Sequence, residues 1–94
     1  MRVLLIDDLR DFENVDRVTR TFEDGLAALE HEGPWGLLLL DNDLNDPRYE
    51  RSGSKILDWL EEHPEYLPEN ITPVTANPVA LQYMRVVIKK LYGS

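Results

Sequence analysis

The sequence predicts an α/β domain: a mostly parallel sheet of about four short strands with three helices packed on it. Three observations carry this. Two short, unbroken apolar runs, Arg2 to Ile6 (RVLLI) and Trp35 to Leu40 (WGLLLL), have the length and composition of fully buried strands. Each run is closed abruptly by acids, Asp7-Asp8 and Asp41-Asn42-Asp43. Between and after the runs, apolar residues recur at helical spacing, so strands and helices alternate along the chain.

Taken in order, Arg2 to Ile6 is the first strand, and Leu9 to Asp16 is polar and irregular. Arg17 to Arg20 (RVTR) is a short strand candidate through the β-branched Val18 and Thr19. Thr21 suits a helix N-cap with Asp24 three residues on, and Phe22, Leu26 and Leu29 form the apolar side of that helix until Gly33-Pro34 stops it. After the second buried strand, residues 45–53 read as a polar loop. Ser54 to His63 reads as a helix with Ile56, Leu57 and Leu60 on one side, and Pro64 to Pro68 as a linker. Ile71 to Thr75 is a third strand, placed at a sheet edge by Pro73. Asn77-Pro78 opens the last helix, as cap and first-turn residue, and Ala80, Met84, Val87, Ile88 and Leu91 give it an apolar face. One spacing does not fit. The stretch from Asp7 to Arg17 is short for a helical crossover, which needs a dozen residues or more. Either the first helix is a single turn, or Arg17–Arg20 is not a normal parallel strand.

Composition narrows the function. Ninety-four residues make one domain, 1–94, with a thin core. There are no cysteines, which removes disulfide scaffolds, thiolate metal sites and cysteine nucleophiles and fits a reducing cytoplasm. The longest apolar run, Leu37 to Leu40, falls far short of the ~18–20 residues that cross a membrane, and the N-terminus does not read as a secretory signal. The net charge of −8 argues against binding a nucleic-acid backbone through a broad surface, since that takes Lys and Arg. An anionic ligand would need a metal or a local group of donors. A basic protein partner also fits this charge.

Ligands of open α/β sheets bind at the carboxyl ends of the strands. Asp7 and Asp8 end one strand, and Asp41 and Asp43 end the next. If the strands are neighbours, the carboxylates converge and repel, and a hard divalent cation such as Mg²⁺ relieves that repulsion. A single Asp after a strand is explained by turn formation alone; two acidic clusters after two buried strands favour a metal or active site. His31 and His63 fall near helix ends, where the dipole and solvent account for them. Arg48 and Arg51 read as solvated loop residues, and Trp35 and Trp59 as core or near-core aromatics.

LLIDD at 4–8, LLLLDNDL at 37–44 and the Thr75 that ends ITPVT resemble the receiver domains of two-component response regulators. That resemblance implies Mg²⁺ on Asp7 and Asp8, Asp41 as phosphoacceptor or ligand, and Thr75 as switch residue or phosphate contact. A closer resemblance, over nearly the whole chain, is to the compact atypical receivers called cyclic-phosphate processing receiver domains, found as small proteins of bacteria and phages. Their pattern is matched by Asp7-Asp8, by Asp41-Asn42-Asp43-Leu44, by Ser52-Gly53, and by Val74-Thr75-Ala76-Asn77-Pro78. It implies a compact, truncated, flavodoxin-like three-layer fold. It further implies Mg²⁺ or Mn²⁺ on Asp7, Asp8, Asp41 and Asp43, a reacting centre at Asp41, Asn42 and Thr75, and ligand or phosphate contact by Thr75 and Asn77.

Two departures bear on chemistry. The family carries histidines where this chain has Asn42 and Val74. An imidazole moves protons near neutral pH; an asparagine amide and a valine do not. Lys89 and Lys90 lie late in the last helix, with no fifth strand to carry the lysine of ordinary receivers. Three readings follow. One is a metal-binding, receiver-like domain for a phosphate-containing ligand, with catalysis lost or altered. Another is a degenerate pseudo-receiver that binds a host or regulatory protein, phage-encoded or bacterial, in the cytoplasm. The third, ranked below both, is a conventional phosphoacceptor at Asp41.

Overall fold

Two runs of consecutive apolar residues, β1 (Val3–Ile6) and β3 (Leu37–Leu40), form the central pair of a four-stranded parallel sheet. The computed structural model describes residues 1–44 and 46–93. Strand β2 (Arg17–Thr19) flanks β1, strand β4 (Asn70–Pro73) flanks β3, and the order is β2-β1-β3-β4. Three helices complete the domain: α1 (Phe22–His31), α2 (Gly53–Glu62) and α3 (Pro78–Leu91). The α/β class follows from these elements. The loop expected at 45–53 closes with a 3₁₀ turn at Tyr49–Arg51, and the linker after α2 holds another at Pro64–Tyr66; Asn45 lies outside the described residues. No helix among the described residues is long and apolar enough to cross a membrane.

The local signals did what their chemistry requires. Thr21 Oγ1 accepts from Asp24 N at 3.1 Å and caps α1. Asn77 Oδ1 accepts from Val79 N and Ala80 N at 3.0 and 3.2 Å and caps α3, with Pro78 in the first turn. Pro73 lies on β4, an edge strand, where a missing donor is tolerated. Trp35 is buried and donates Nε1–H to Ala28 O at 3.0 Å. Trp59 stacks on His63 and Tyr66 at the core margin.

Register decides what each sheet face carries. Leu4, Leu38 and Ile71 lie side by side across three strands, and Ile6 lies beside Leu40. These residues join Ala28 and Leu29 of α1, Ile56, Leu57 and Leu60 of α2, and Met84 and Val87 of α3 in one core cluster. All three helices therefore cover the same face. The step from β1 to β2 runs across the sheet against the direction of the later steps. Right-handed crossover then puts residues 7–16 on the opposite face. That accounts for the complete burial of Leu5, whose side chain points away from the helices.

The short spacing before Arg17 has an answer that neither expected alternative describes. Arg17–Thr19 is a regular parallel strand, in register with Leu4, Leu5 and Ile6, and the crossover contains no helix. The third layer of the fold is this helix-free segment. It is fastened at both ends: Asp16 Oδ2 accepts from Val3 N at 2.7 Å, and Asp7 Oδ1 accepts from Leu9 N and Arg10 N, each at 2.9 Å. Asn14 takes a left-handed conformation (φ 63°) in the turn between, which Asn tolerates. Arg20 stitches the segment down by donating Nη1 to Arg10 O at 2.7 Å and to Asp7 O at 3.2 Å. Replacing Arg20 with Met leaves those carbonyls without their charged donor and is expected to cost about 1–2 kcal/mol. Limited proteolysis should then cut within residues 8–16 several-fold faster than in the wild type, ahead of any cut in the helices.

Candidate metal centre

Asp7 and Asp41 are the residues that continue β1 and β3 past their last core positions. The ladder continues with them: Asp41 N donates to Ile6 O at 2.9 Å, and Asp7 N donates to Thr19 O at 3.1 Å. Because Ile6 pairs with Leu40, the two acids come out side by side, about one strand spacing (~4.8 Å) apart. Asp8 follows at the start of the crossover. Carboxylate oxygens of Asp7, Asp8 and Asp41 lie within 4.8 Å of one another, the cluster of metal-ligating side chains found among the described residues. They line a depression of about 240 Å³ together with Leu9, Arg10, Asp43 and Ala76.

The electrostatics are those of a site short of positive charge. Asp7 is fully buried; Oδ1 holds the turn at Leu9 and Arg10, while Oδ2 has no hydrogen-bond partner. A buried carboxylate oxygen without a donor is a costly arrangement. Burial pushes the Asp41 carboxyl above its ordinary range, and the neighbouring Asp7 charge pushes it further; the N–H groups of Asn42 and Asp43 oppose the shift. Three carboxylates with one oxygen left over form the donor set that hard divalent cations take, and Mg²⁺ or Mn²⁺ fits these residues.

The other expected site residues divide between two neighbouring places. Asp43 lines the acidic depression, but its carboxylate is exposed and outside the three-residue cluster. Thr75, next in the chain to the Ala76 of that depression, is buried, its Oγ1 accepting from Asn77 N at 3.1 Å. Asn42 and Asn77 line a second cleft, which opens between the N-termini of α2 and α3. Asn42 Oδ1 accepts from Ser54 Oγ at 2.6 Å and from Ser54 N at 3.3 Å, so this amide helps cap α2, whose own N-cap Ser52 makes no side-chain cap bond. Val74 is half-buried, and its N–H continues the sheet by donating to Leu40 O at 2.9 Å.

The remaining charged candidates are engaged elsewhere. Arg48 pairs with Asp46 at 2.6 Å, and Arg51 pairs with Glu23. His31 is exposed and pairs with Glu30, while His63 Nδ1 lies 2.9 Å from Trp59 O. Lys90 pairs with Glu61, and both Lys89 and Lys90 lie at the far end of α3 from the acids. Residues that the sequence did not mark for a site include Tyr49, Ser54 and Tyr83, which line the second cleft. A Cβ on Gly53 would come within 1.9 Å of Asp41 O, so only glycine lets α2 start this close to the end of β3. The Ser-Gly pair in the motif at 52–53 was the signal for it.

A scan against protein-family models matched the cyclic-phosphate processing receiver domain over residues 2–90, and the chain belongs to that family. No curated protein and no solved structure gave a significant match.

Two substitutions test this geometry. Asp41→Asn removes a buried charge facing Asp7 and keeps the shape, so in metal-free buffer its melting temperature should exceed that of the wild type by a few degrees at neutral pH. The sign follows from the raised pKa. The folded state holds the Asp41 proton too tightly, so this group costs stability only once pH rises above the ordinary carboxylate range. The gain of the variant should fade as the pH falls below that range. Gly53→Ala forces backbone apart at the α2 start and should cost about 3 kcal/mol in denaturant unfolding.

Proposed function

We propose that this protein is a receiver-like domain whose acidic pocket holds a divalent cation, Mg²⁺ or Mn²⁺, and beside it a phosphate-containing small ligand. The observation that carries this reading is the cluster of Asp7, Asp8 and Asp41 with one buried oxygen unpaired. When bound, such an ion neutralises the carboxylates, polarises phosphate oxygens and makes water more acidic. The chain's own groups then have simple roles. Asp7, Asp8 and Asp41 bind the ion. Thr75 Oγ1 already accepts one bond, which leaves its proton for a phosphate oxygen, and the start of α3 favours negative charge there. Asn42 and Asn77 orient the ligand through their amide groups.

Proton transfer is where this chain departs from its family. Asn42 and Val74 stand where the family carries histidines, so hydrolysis or transfer at a cyclic phosphate is lost or altered. An amide-detected NMR titration with Mg²⁺ should shift resonances around Asp7, Asp8 and Asp41 at millimolar metal, and Asp41→Asn should abolish the response. A flat titration in the wild type would sink the reading. Restoring both positions (Asn42→His with Val74→His) should raise turnover of a 2′,3′-cyclic nucleotide roughly a hundredfold, the low end for a positioned proton donor and acceptor.

A second reading is a pseudo-receiver that binds a host or regulatory protein. It is favoured by the exposed apolar stripe of Val79, Tyr83 and Val86 on α3, three residues at helical spacing on the solvent side. A partner recovered from host lysate by the wild type and lost with Val86→Asp would support it, above all if Mg²⁺ produced no shifts.

A further inference from the structure

The cleft between the starts of α2 and α3 is a second concavity, of about 360 Å³, and the metal centre does not use it. It adjoins the acidic depression: Asp41 and Ala76 line one, and the next residues in the chain, Asn42 and Asn77, line the other. Its walls combine two chemistries. Tyr49 and Tyr83 contribute phenol rings, and Val79 and Ala80 of the first turn of α3 add apolar surface. Lys55 Nζ lies 5.2 Å from the Tyr49 ring centroid and 3.3 Å from Asp58, and the Tyr83 hydroxyl is 3.5 Å from the same carboxylate. Both rings are thus restrained while remaining partly open to solvent.

The polar wall is set by the helix caps. Asn42 Oδ1 is taken by Ser54, and Asn77 Oδ1 is taken by Val79 N and Ala80 N. Each amide can therefore offer only its NH₂ to an occupant. A site with aromatic faces and fixed donors suits a flat ring that carries acceptors at its edge, and its volume lies in the range of small-ligand sites, roughly 300–1,000 Å³.

We propose that this cleft is a nucleobase subsite, and that the phosphate-containing ligand is a free nucleotide. The base stacks on Tyr49 and Tyr83, its edge acceptors meet the Asn42 and Asn77 amides, and its phosphate reaches the carboxylate-bound ion. A strand end is disfavoured, because a chain with net charge −8 repels each added phosphate. The assignment of the phosphate rests on the metal reading above; the assignment of the base does not.

Three probes separate the two, each titrated by NMR into the full chain with and without MgCl₂. Adenosine carries a base and no phosphate, ribose 5-phosphate the reverse, and AMP both. Adenosine should shift the Asn42, Ser54, Asn77 and Ala80 amides without Mg²⁺. AMP with Mg²⁺ should bind about tenfold more tightly than ribose 5-phosphate, within the range for stacking one base on an aromatic side chain. Tyr49→Ala with Tyr83→Ala, both at exposed positions, should erase that tenfold advantage and leave the response to Mg²⁺ and ribose 5-phosphate unchanged. Adenosine that leaves the cleft amides unmoved, AMP no tighter than ribose 5-phosphate, or a double variant that keeps the advantage would each overturn the subsite. Ribose 5-phosphate silent with Mg²⁺ while adenosine still binds would support the subsite and overturn only the metal–phosphate reading. A trinucleotide binding more tightly than AMP would overturn the free-nucleotide assignment.

Discussion

The parallel pairing that sets Ile6 beside Leu40 governs this molecule. Both side chains point into the single helix-covered core, and that burial is what holds the register. A slip of one residue would turn Leu38 and Leu40 away from the helices, and in one direction would carry Asp41 into the place of Leu40. The next residue on each strand is an aspartate, so the same register that buries the leucines forces two carboxylates together. The chain cannot relieve their repulsion without giving up its core. Hydrophobic packing therefore maintains an electrostatic conflict at the sheet end, and a counter-charge resolves it at no cost to the fold.

The helices are drawn into the same arrangement by their first residues. Asn42 and Asn77 serve α2 and α3 in the same way, each lending its side-chain oxygen to a helix start. Gly53 permits the close approach of α2, because nothing larger than hydrogen fits against Asp41 O. Position 42 is thus occupied by a residue with a structural task. Its side-chain oxygen is committed to Ser54, which leaves the NH₂ as the group this amide can still offer.

What was legible in the sequence was local. Buried runs, the caps at Thr21 and Asn77, the break at Gly33-Pro34 and the edge position of Pro73 are each decided by residues within a few places of one another. The acids were legible as two clusters, but their meeting depends on β1 and β3 being neighbours, which is strand order and not periodicity. The helix-free crossover was illegible for the same reason: Val18 and Thr19 marked RVTR as a short strand candidate, but the ordinary rule for crossovers argued against a parallel strand so soon after β1. Tyr49 and Tyr83 come from a loop turn and from the solvent side of a helix. No local pattern marks such residues as companions, and only the packing of α2 against α3 brings them to one cleft.

Asp7 lines the acidic pocket and divides its two oxygens, Oδ1 holding the turn that begins the crossover and Oδ2 left buried without a hydrogen-bond partner. The order of segment 7–16 and occupancy of the pocket are thereby one linked equilibrium. By thermodynamic reciprocity, whatever engages the free oxygen also raises the free energy of opening that segment, and whatever loosens the segment weakens engagement by the same factor. In a fold whose first crossover is a tethered strip of chain without a helix, the strip and the pocket share one aspartate.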